Sequence, residues 1–201
     1  MGWYEDHVLP HLIHLTMRGP QFLPYRRRLL EKAEGRVLEI GIGSAANLPF
    51  YTERAVKIVG IDPHPKLLAM SAQKASGRMW VIGASAESVP LPGDSVDTVV
   101  TTWTLCSIPD VLGALGEVRR VLKPGGRLLF VEHGLAKEES VSLWQRRLTP
   151  IWKRMAGGCH LDRPIAELVK TAGFEVEDLR TEYMPGPRPL TFTYEGCGRK
   201  L

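Results

Sequence analysis

The chain has 201 residues, of which 44% are hydrophobic and 24% are charged, and its formal net charge is +4. These are the values of an ordinary globular domain, and the absence of a long basic run argues against a nucleic-acid-binding protein. No stretch approaches the roughly 20 apolar residues of a transmembrane helix, and the N-terminus lacks the pattern of a secretion signal. Cys106, Cys159 and Cys197 form no CxxC pair and suggest no disulfide framework, so we expect a protein of the reducing cytoplasm.

The N-terminal segment, residues 1–17, predicts a short amphipathic helix interrupted at Pro10. Its polar face combines Tyr4, His7, His11 and His14, at spacings of three and four. Two histidines four apart suit a metal site, but no acidic or cysteine partner accompanies them. We therefore predict a lid over a pocket or a plain surface helix. The apolar face, formed by Val8, Leu12 and Leu15, is expected to dock on the core or on a membrane surface.

From residue 21 onward, helix and strand patterns alternate. Helices are predicted over residues 21–34, 47–54, 65–75, 109–122 and 140–155, and a last one up to residue 171 is predicted to be capped by Asp162. Strands are predicted over residues 36–40, 56–61, 79–82, 95–102, 127–132, 174–183 and 190–196. Five strands that alternate with helices predict a doubly wound parallel sheet. The last two strands have no helix between them and should form an antiparallel hairpin. The expected fold class is thus α/β, with seven strands and helices on both faces.

A glycine turn follows the first strand and is the strongest local motif. The spacing Gly41-x-Gly43-x-x-Ala46 is typical of a nucleotide or nucleoside site, and it also fits a structural turn. Glu39 precedes the glycines, where its carboxylate would repel a pyrophosphate but suits a cationic ligand. S-adenosylmethionine is such a ligand, because it has a sulfonium and an ammonium group and no phosphate.

Asp62 ends the second strand, roughly twenty residues after the glycines. An acidic residue at this position can accept both hydroxyl groups of a ribose. A helix N-cap is the alternative, because Pro63 and Pro65 follow, and the two roles are compatible.

These segments together resemble the class I S-adenosylmethionine-dependent methyltransferases, with motifs of type 11. The matching segments, over residues 36–133, are VLEIGIGSAANLPFY, VGIDPHP, ASAESVPLPGDSVDTVV and ALGEVRRVLKPGGRLLFVEHG. TLCSIPD, EHG, Trp144–Gln145 and GGCHLDR further resemble the methyltransferase-like seven group, which contains alkyl thiol S-methyltransferases. A dehydrogenase with the same glycine turn is the rival interpretation, but the chain has little room for its substrate domain.

The resemblance implies one methyltransferase domain over residues 35–201, preceded by a helical segment or lid over residues 1–34. It implies a cofactor site formed by Glu39, Gly41, Gly43, Asn47, Asp62, Pro63, His64, Ala86, Glu87, Thr101 and Thr102. Glu39 and the glycines would frame the methionine end, Asp62 the ribose, and Ala86 and Glu87 the adenine. For the threonines, a simple strand terminus is the alternative. Ser85 departs from the family, because many related enzymes have an aspartate there.

His133 is the candidate general base. It follows the fifth strand at the edge where such sheets bind ligands, and an imidazole pKa of about 6.5 suits proton removal near neutrality. A hydrogen bond to a loop is the alternative. The acceptor pocket is predicted to include Tyr4, His7, His11, Trp103 and His160. Core packing is the alternative for Trp103, and helix capping for His160. Cys106 and Cys159 are expected to pack in the core, since direct methyl transfer needs no covalent cysteine, and no metal site is predicted.

The predicted function is methyl transfer to a small-molecule acceptor, above all a thiol. A lipid or quinone-type acceptor and a noncatalytic module that binds S-adenosylmethionine are the alternatives. The eukaryotic members of the group carry a hydrophobic N-terminal membrane anchor, which this sequence does not contain. We therefore expect a cytoplasmic enzyme with at most peripheral membrane contact and no nucleic-acid partner.

Overall fold

The strands of the chain form one seven-stranded sheet. The computed structural model describes Tyr4, residues 7–75 and residues 77–201. The strands are β1 (Gly35–Ile40), β2 (Ala55–Ile61), β3 (Met79–Ile82), β4 (Val96–Thr102), β5 (Leu122–His133), β6 (Phe174–Tyr183) and β7 (Phe192–Lys200). Their order in the sheet is β3-β2-β1-β4-β5-β7-β6, and only the pairs that involve β7 are antiparallel. The predicted fold class is confirmed.

Helices cover both faces of this sheet. They are α1 (Leu9–Thr16), α2 (Leu23–Leu30), α3 (Pro65–Ala72), α4 (Val111–Val121), α5 (Glu139–Met155), α6 (Ile165–Thr171) and α7 (Arg188–Thr191), with 3-10 turns at Pro20–Phe22 and Leu48–Phe50. Two buried clusters result, one on each face: Val99 of β4 belongs to the cluster that includes α4 and α6, and Val100 to the cluster that includes α2. Because neighbouring residues of one strand are buried on opposite sides, its sequence is continuously apolar.

Three expectations for the helices are wrong. Residues 47–54 form no α-helix, because the 3-10 turn ends at Tyr51, whose ψ of 129° is extended. A four-residue helix, α7, lies between β6 and β7, where no helix was expected. Asp162 does not cap α6, which begins at Ile165 without a side-chain cap.

The register places the carboxyl ends of the central strands at one level. Ile40 of β1 pairs with both Ile61 of β2 and Thr101 of β4, and Thr102 pairs with Val131 of β5. The segments that follow these strands therefore meet at one edge of the sheet. In the part of the chain that the structure describes, no helix combines the length and the apolar character needed to cross a bilayer.

Candidate functional site

The crevice at this edge lies between β1 and β4, where the strand order reverses. The chain leaves β1 toward β2 and β3 on one side, and it returns through β4 and β5 on the other. The two connections diverge there, so the segments beyond the strand ends leave room for a ligand. The glycine turn, Asp62, the loop after β4 and His133 all lie at this edge.

Glycine is needed at the two positions of the turn for different structural reasons. Both have positive φ, +69° at Gly41 and +53° at Gly43. A Cβ added at Gly41 would lie 2.3 Å from the Thr104 hydroxyl oxygen, so this glycine lets the loop after β4 pack against the turn. A Cβ at Gly43 would find no atom nearer than 3.9 Å. The backbone at Gly43 is thus open to the approach of a ligand.

Asp62 fixes the turn from the end of β2. Its Oδ2 accepts a hydrogen bond from Gly43 N at 3.0 Å, and its Oδ1 accepts one from His64 N at 2.8 Å. Burial raises the pKa of this carboxyl, and the two N–H donors partly oppose the shift. A carboxylate has about four acceptor positions, so each oxygen can still accept a hydroxyl group. Asp62 thus bonds to the glycine turn and to His64, the N-cap residue of α3, and not to an N–H of the first turn of that helix.

Glu39 lies at the base of the turn in a buried hydrogen-bond network. Its two carboxylate oxygens accept from Asn47 Nδ2 at 2.9 Å and from the Tyr51 hydroxyl at 2.7 Å. Asn47 also donates to Thr102 Oγ1 at 3.0 Å and accepts from Arg26 Nε at 2.8 Å. Burial raises the pKa of Glu39 to about 7, against these hydrogen bonds and the nearby guanidinium. Arg26 and Tyr51 were not among the predicted site residues, because their partners lie far from them or across the turn.

Arg26 had one signal in the sequence, because it lies three and four residues before Leu29 and Leu30 and so shares the apolar face of α2. It is 2% exposed, and its guanidinium carbon lies 5.3 Å from the Trp103 ring centroid. Trp103 packs edge-on against Phe22, with ring centroids 4.7 Å apart. Trp103 therefore contacts α2 and the core cluster on that face, and Arg26 joins this aromatic group to the Glu39 network.

The predicted adenine-side residues follow two neighbouring strands, β2 and β3. Ile61 pairs with Ile82, so the loop after β3 follows next to the end of β2. In this region Ala86 is buried, His64 is half-buried, and Pro63 and Glu87 are exposed. Glu87 accepts from Asp110 N at 2.8 Å, which joins this loop to the start of α4. Thr101 is buried at the end of β4.

His133 ends β5 next to two cysteines. Its Nδ1 lies 3.7 Å from Cys159 Sγ, and the donor atoms of Cys106, His133 and Cys159 all lie within 4.8 Å of one another. Both cysteines are buried and His133 is half-buried. The cysteines were expected in the core, and no local pattern in the sequence indicates this cluster, because its members come from three distant segments.

Buried polar groups hold the loops that carry this cluster. The Glu132 carboxylate accepts from Thr104 N at 3.0 Å and from Cys106 N at 3.2 Å. His160 N donates to the Cys106 carbonyl at 2.8 Å, and Arg163 donates to the Leu105 carbonyl. The loop after β4 is thereby joined to β5 on one side and to residues 157–163 on the other.

Two further polar groups stand around the cluster. The amide of Gln145, on α5, donates to the Gly134 carbonyl and accepts from Ala136 N, which fixes the chain directly after His133. His160 Nδ1 lies 3.7 Å from an Asp162 oxygen, and burial lowers the pKa of this imidazole, supported by the charge of Arg163.

Helix α1 extends over the edge of the sheet. Leu9 and Ile13 lie against Gly157, at 3.4 and 3.6 Å from a Cβ added there, and α1 also contacts α3. The Tyr4 hydroxyl donates to the Met155 carbonyl at 2.9 Å. His7 and His11 are exposed. Among the described residues, the one group of cysteine, histidine or acidic side chains with metal-ligand spacing is the Cys106 cluster and not the N-terminal histidines.

A cavity of about 310 Å³ lies beside the glycine turn, between α2 and the end of α1. Its wall includes Ala45 and Ala46 of the turn, and the cationic side chains Arg18, Arg26 and Lys74. The Lys74 ammonium donates to the Ser44 carbonyl. The turn is thus bordered by positive charge on the side that faces α2.

Comparisons with known proteins agree on one family. The family described as a methyltransferase domain matches residues 38–130. Thiol S-methyltransferase TMT1B of Rattus norvegicus is 36% identical over 161 residues, which cover 77% of this chain and 65% of that protein. The Homo sapiens protein of that name is 34% identical, over 79% and 67%. The chain thus spans about two thirds of the length of these relatives. A SAM-dependent methyltransferase structure from Thermotoga maritima has a TM-score of 0.70 and 21% identity, and the match covers 97% of this chain and 99% of that one.

Proposed function

Since the chain belongs to the class I S-adenosylmethionine-dependent methyltransferases, we propose that it methylates the sulfur of a small thiol. The observation that carries the choice of acceptor is the identity of 36% over 161 residues with a protein named thiol S-methyltransferase. That similarity extends well beyond the segment matched by the methyltransferase family, so it includes residues outside the cofactor motifs.

The residues at the sheet edge fit S-adenosylmethionine, the cofactor of the family. The open backbone at Gly43 admits the ligand, and Asp62 retains acceptor positions for the ribose hydroxyls. We assign the methionine end to the glycines with Glu39, Asn47, Thr101 and Thr102, and the adenine end to Pro63, His64, Ala86 and Glu87. When bound, the cofactor supplies a methyl carbon that its sulfonium already activates. The chain then has to position the acceptor and exclude water.

We assign proton removal from the thiol to His133. A free thiol has a pKa of about 8.5, so an acceptor of this kind needs only modest help from a base. His133 is half-buried at the edge, beside the loop that packs on the glycine turn. The acceptor would lie between this histidine and a lid formed by α1, with Tyr4, His7, His11, Trp103 and His160 as the proposed pocket residues.

The test is methyl transfer from labelled S-adenosylmethionine to a panel of small thiols, with matched alcohols, amines, quinols and lipid headgroups. We expect labelled thioethers from the thiols alone, together with binding of S-adenosylhomocysteine in calorimetry. Transfer to a quinol or a lipid and not to thiols would contradict the proposed acceptor. Binding without transfer to any acceptor would favour a noncatalytic module.

A further inference from the structure

The cluster of Cys106, His133 and Cys159 has the composition of a metal site. It offers two thiol sulfurs and one imidazole nitrogen, from the loop after β4, the end of β5 and the loop after α5. Two cysteines and one histidine are an established ligand set for zinc sites that keep a fourth position open. Cys197, the remaining cysteine, lies on β7 in the other core cluster and is not part of this group.

We propose that Cys106, His133 and Cys159 bind a zinc ion whose fourth position takes the sulfur of the acceptor thiol. The assignment of the fourth ligand rests on the proposed function, whereas the ion site rests on the three side chains alone. Tetrahedral zinc with bonds of 2.0–2.3 Å separates its ligand atoms by about 3.5–3.8 Å. The distance of 3.7 Å between Cys159 Sγ and His133 Nδ1 already agrees with this geometry. The other separations, at most 4.8 Å, need to close by about 1 Å.

The surroundings favour an ion over simple packing. Glu132 and His160 fix the backbone at Cys106, so the ligands are held by groups outside the cluster. Two thiolates neutralise a divalent cation, while the nearby Glu132 and Arg163 carry opposite charges. Thiolate and imidazole together select zinc over calcium or magnesium, which prefer oxygen ligands.

A zinc ion at this site would provide a route by which the acceptor thiol loses its proton. The incoming thiol displaces a water molecule from the ion, the sulfur–zinc bond forms, and the S–H proton leaves to solvent. No oxidant or reductant is needed. With the ion bound, His133 would be a ligand of the zinc in place of the base assigned above, and the ion would lower the pKa of the thiol. Thr104, two residues before Cys106, packs on Gly41, so the cluster and the cofactor turn share one loop.

The first experiment measures metal in the wild-type protein. The chain is purified without chelator, incubated with zinc, dialysed and analysed for zinc per chain, and then reloaded with cobalt(II). We expect one zinc per chain and a thiolate-to-cobalt charge-transfer absorption. A wild-type protein that retains no stoichiometric zinc would overturn the site, and this result does not depend on the folding of any variant.

Variants then identify the ligands. Cys106→Ser and Cys159→Ser should each remove about half of the thiolate-to-cobalt charge-transfer absorption. Each of these two single variants, and the single variant His133→Ala, should weaken zinc binding by about 100-fold or more. Cys197→Ala is the matched control and should bind the metal as the wild type does. Circular dichroism checks the fold of each variant. Unchanged zinc affinity in folded Cys106→Ser and Cys159→Ser would contradict the assignment, as would an oxidised Cys106–Cys159 pair in the fresh protein.

The last comparison separates this inference from the proposed function. Addition of the thiol should shift the cobalt spectrum, and metal removal should abolish thiol methylation while S-adenosylhomocysteine still binds in calorimetry. If the metal-free protein methylates thiols at the wild-type rate, the fourth-ligand role is wrong and the proposed function stands. If the protein binds zinc but methylates no thiol, the ion site stands and the proposed acceptor is wrong.

Discussion

Burial of the Glu39 carboxylate makes the stability of the folded chain depend on pH. It is 2% exposed, and burial raises its pKa to about 7 in the folded chain, against 4.5 as the ordinary value. The folded state therefore holds the proton more tightly than the unfolded state does. The stabilisation is fully present below pH 4.5 and is lost as the pH rises through 7.

The comparison of wild type with Glu39→Gln tests this pH dependence. Glutamine keeps the size and can still bond to Asn47 and Tyr51, but it does not titrate. Between pH 5 and pH 8, the free energy of unfolding of the wild type should fall by roughly 2–3 kcal/mol more than that of the variant. Denaturant unfolding at the two pH values measures the difference. Parallel pH profiles would show that Glu39 is not the titrating group.

Asp62 holds the glycine turn and is the proposed ligand of the ribose hydroxyls. In Asp62→Asn one oxygen becomes an NH2 group, which cannot accept from Gly43 N or His64 N. We expect the affinity for S-adenosylhomocysteine in calorimetry to fall by a factor of about 10–100, since hydrogen bonds to a charged group contribute about 1.5–3 kcal/mol each.

Asp178→Asn is the control for this change. Asp178 is an exposed aspartate with a φ of +50°, a conformation that asparagine also tolerates, and it lies far along the chain on β6. Its variant should bind S-adenosylhomocysteine as the wild type does. Equal losses in the two variants would indicate a general effect of charge and not the loss of a ribose contact.

At the scale of elements, α1 is held to the rest of the chain by few buried side chains. Leu9 is 8% exposed and lies against Gly157, whereas Leu15 on the same helix is 74% exposed. The intrinsic stability of an eight-residue helix is marginal, so its docking has to supply the rest. This weak attachment suits the proposed lid, which has to open for the acceptor.

Leu9→Ala should loosen α1 without unfolding the sheet. We expect its docking to lose about 2 kcal/mol, which makes amide exchange in residues 9–16 about 30-fold faster. Leu15→Ala changes the same residue type on the solvent side and should leave exchange nearly unchanged. Hydrogen exchange followed by mass spectrometry measures the exchange rates in both variants. A similar acceleration in the two variants would contradict docking through Leu9.

At the scale of the whole molecule, local patterns in the sequence predicted the sheet well. The apolar runs before Gly41, Asp62 and Trp103 are typical of strands buried on both faces. The connection between the last two strands is too short for a crossover helix and holds only the four-residue α7, so it indicated the antiparallel pair. These features depend on neighbours in the sequence. The Glu39 network and the Cys106 cluster do not, because Arg26 and Cys159 reach their partners only through the folded topology. The sequence could therefore predict where the candidate site lies but not all of the side chains that form it.

The topology also predicts how the whole chain responds to its cofactor. The proposed ligand contacts come from β1, β2, β4 and their loops, and α2 packs on the same sheet through Leu29 and Leu30, so they should unfold as one unit. S-adenosylhomocysteine at 100 times its dissociation constant should add about 2.7 kcal/mol and raise the melting temperature by about 5–10 °C. Calorimetry should show one transition that moves as a whole. Two transitions, of which the ligand shifts only one, would mean that part of the chain unfolds independently of the sheet. A smaller shift of the melting temperature in Asp62→Asn, at the same ligand concentration, would confirm that the effect is due to binding at the turn.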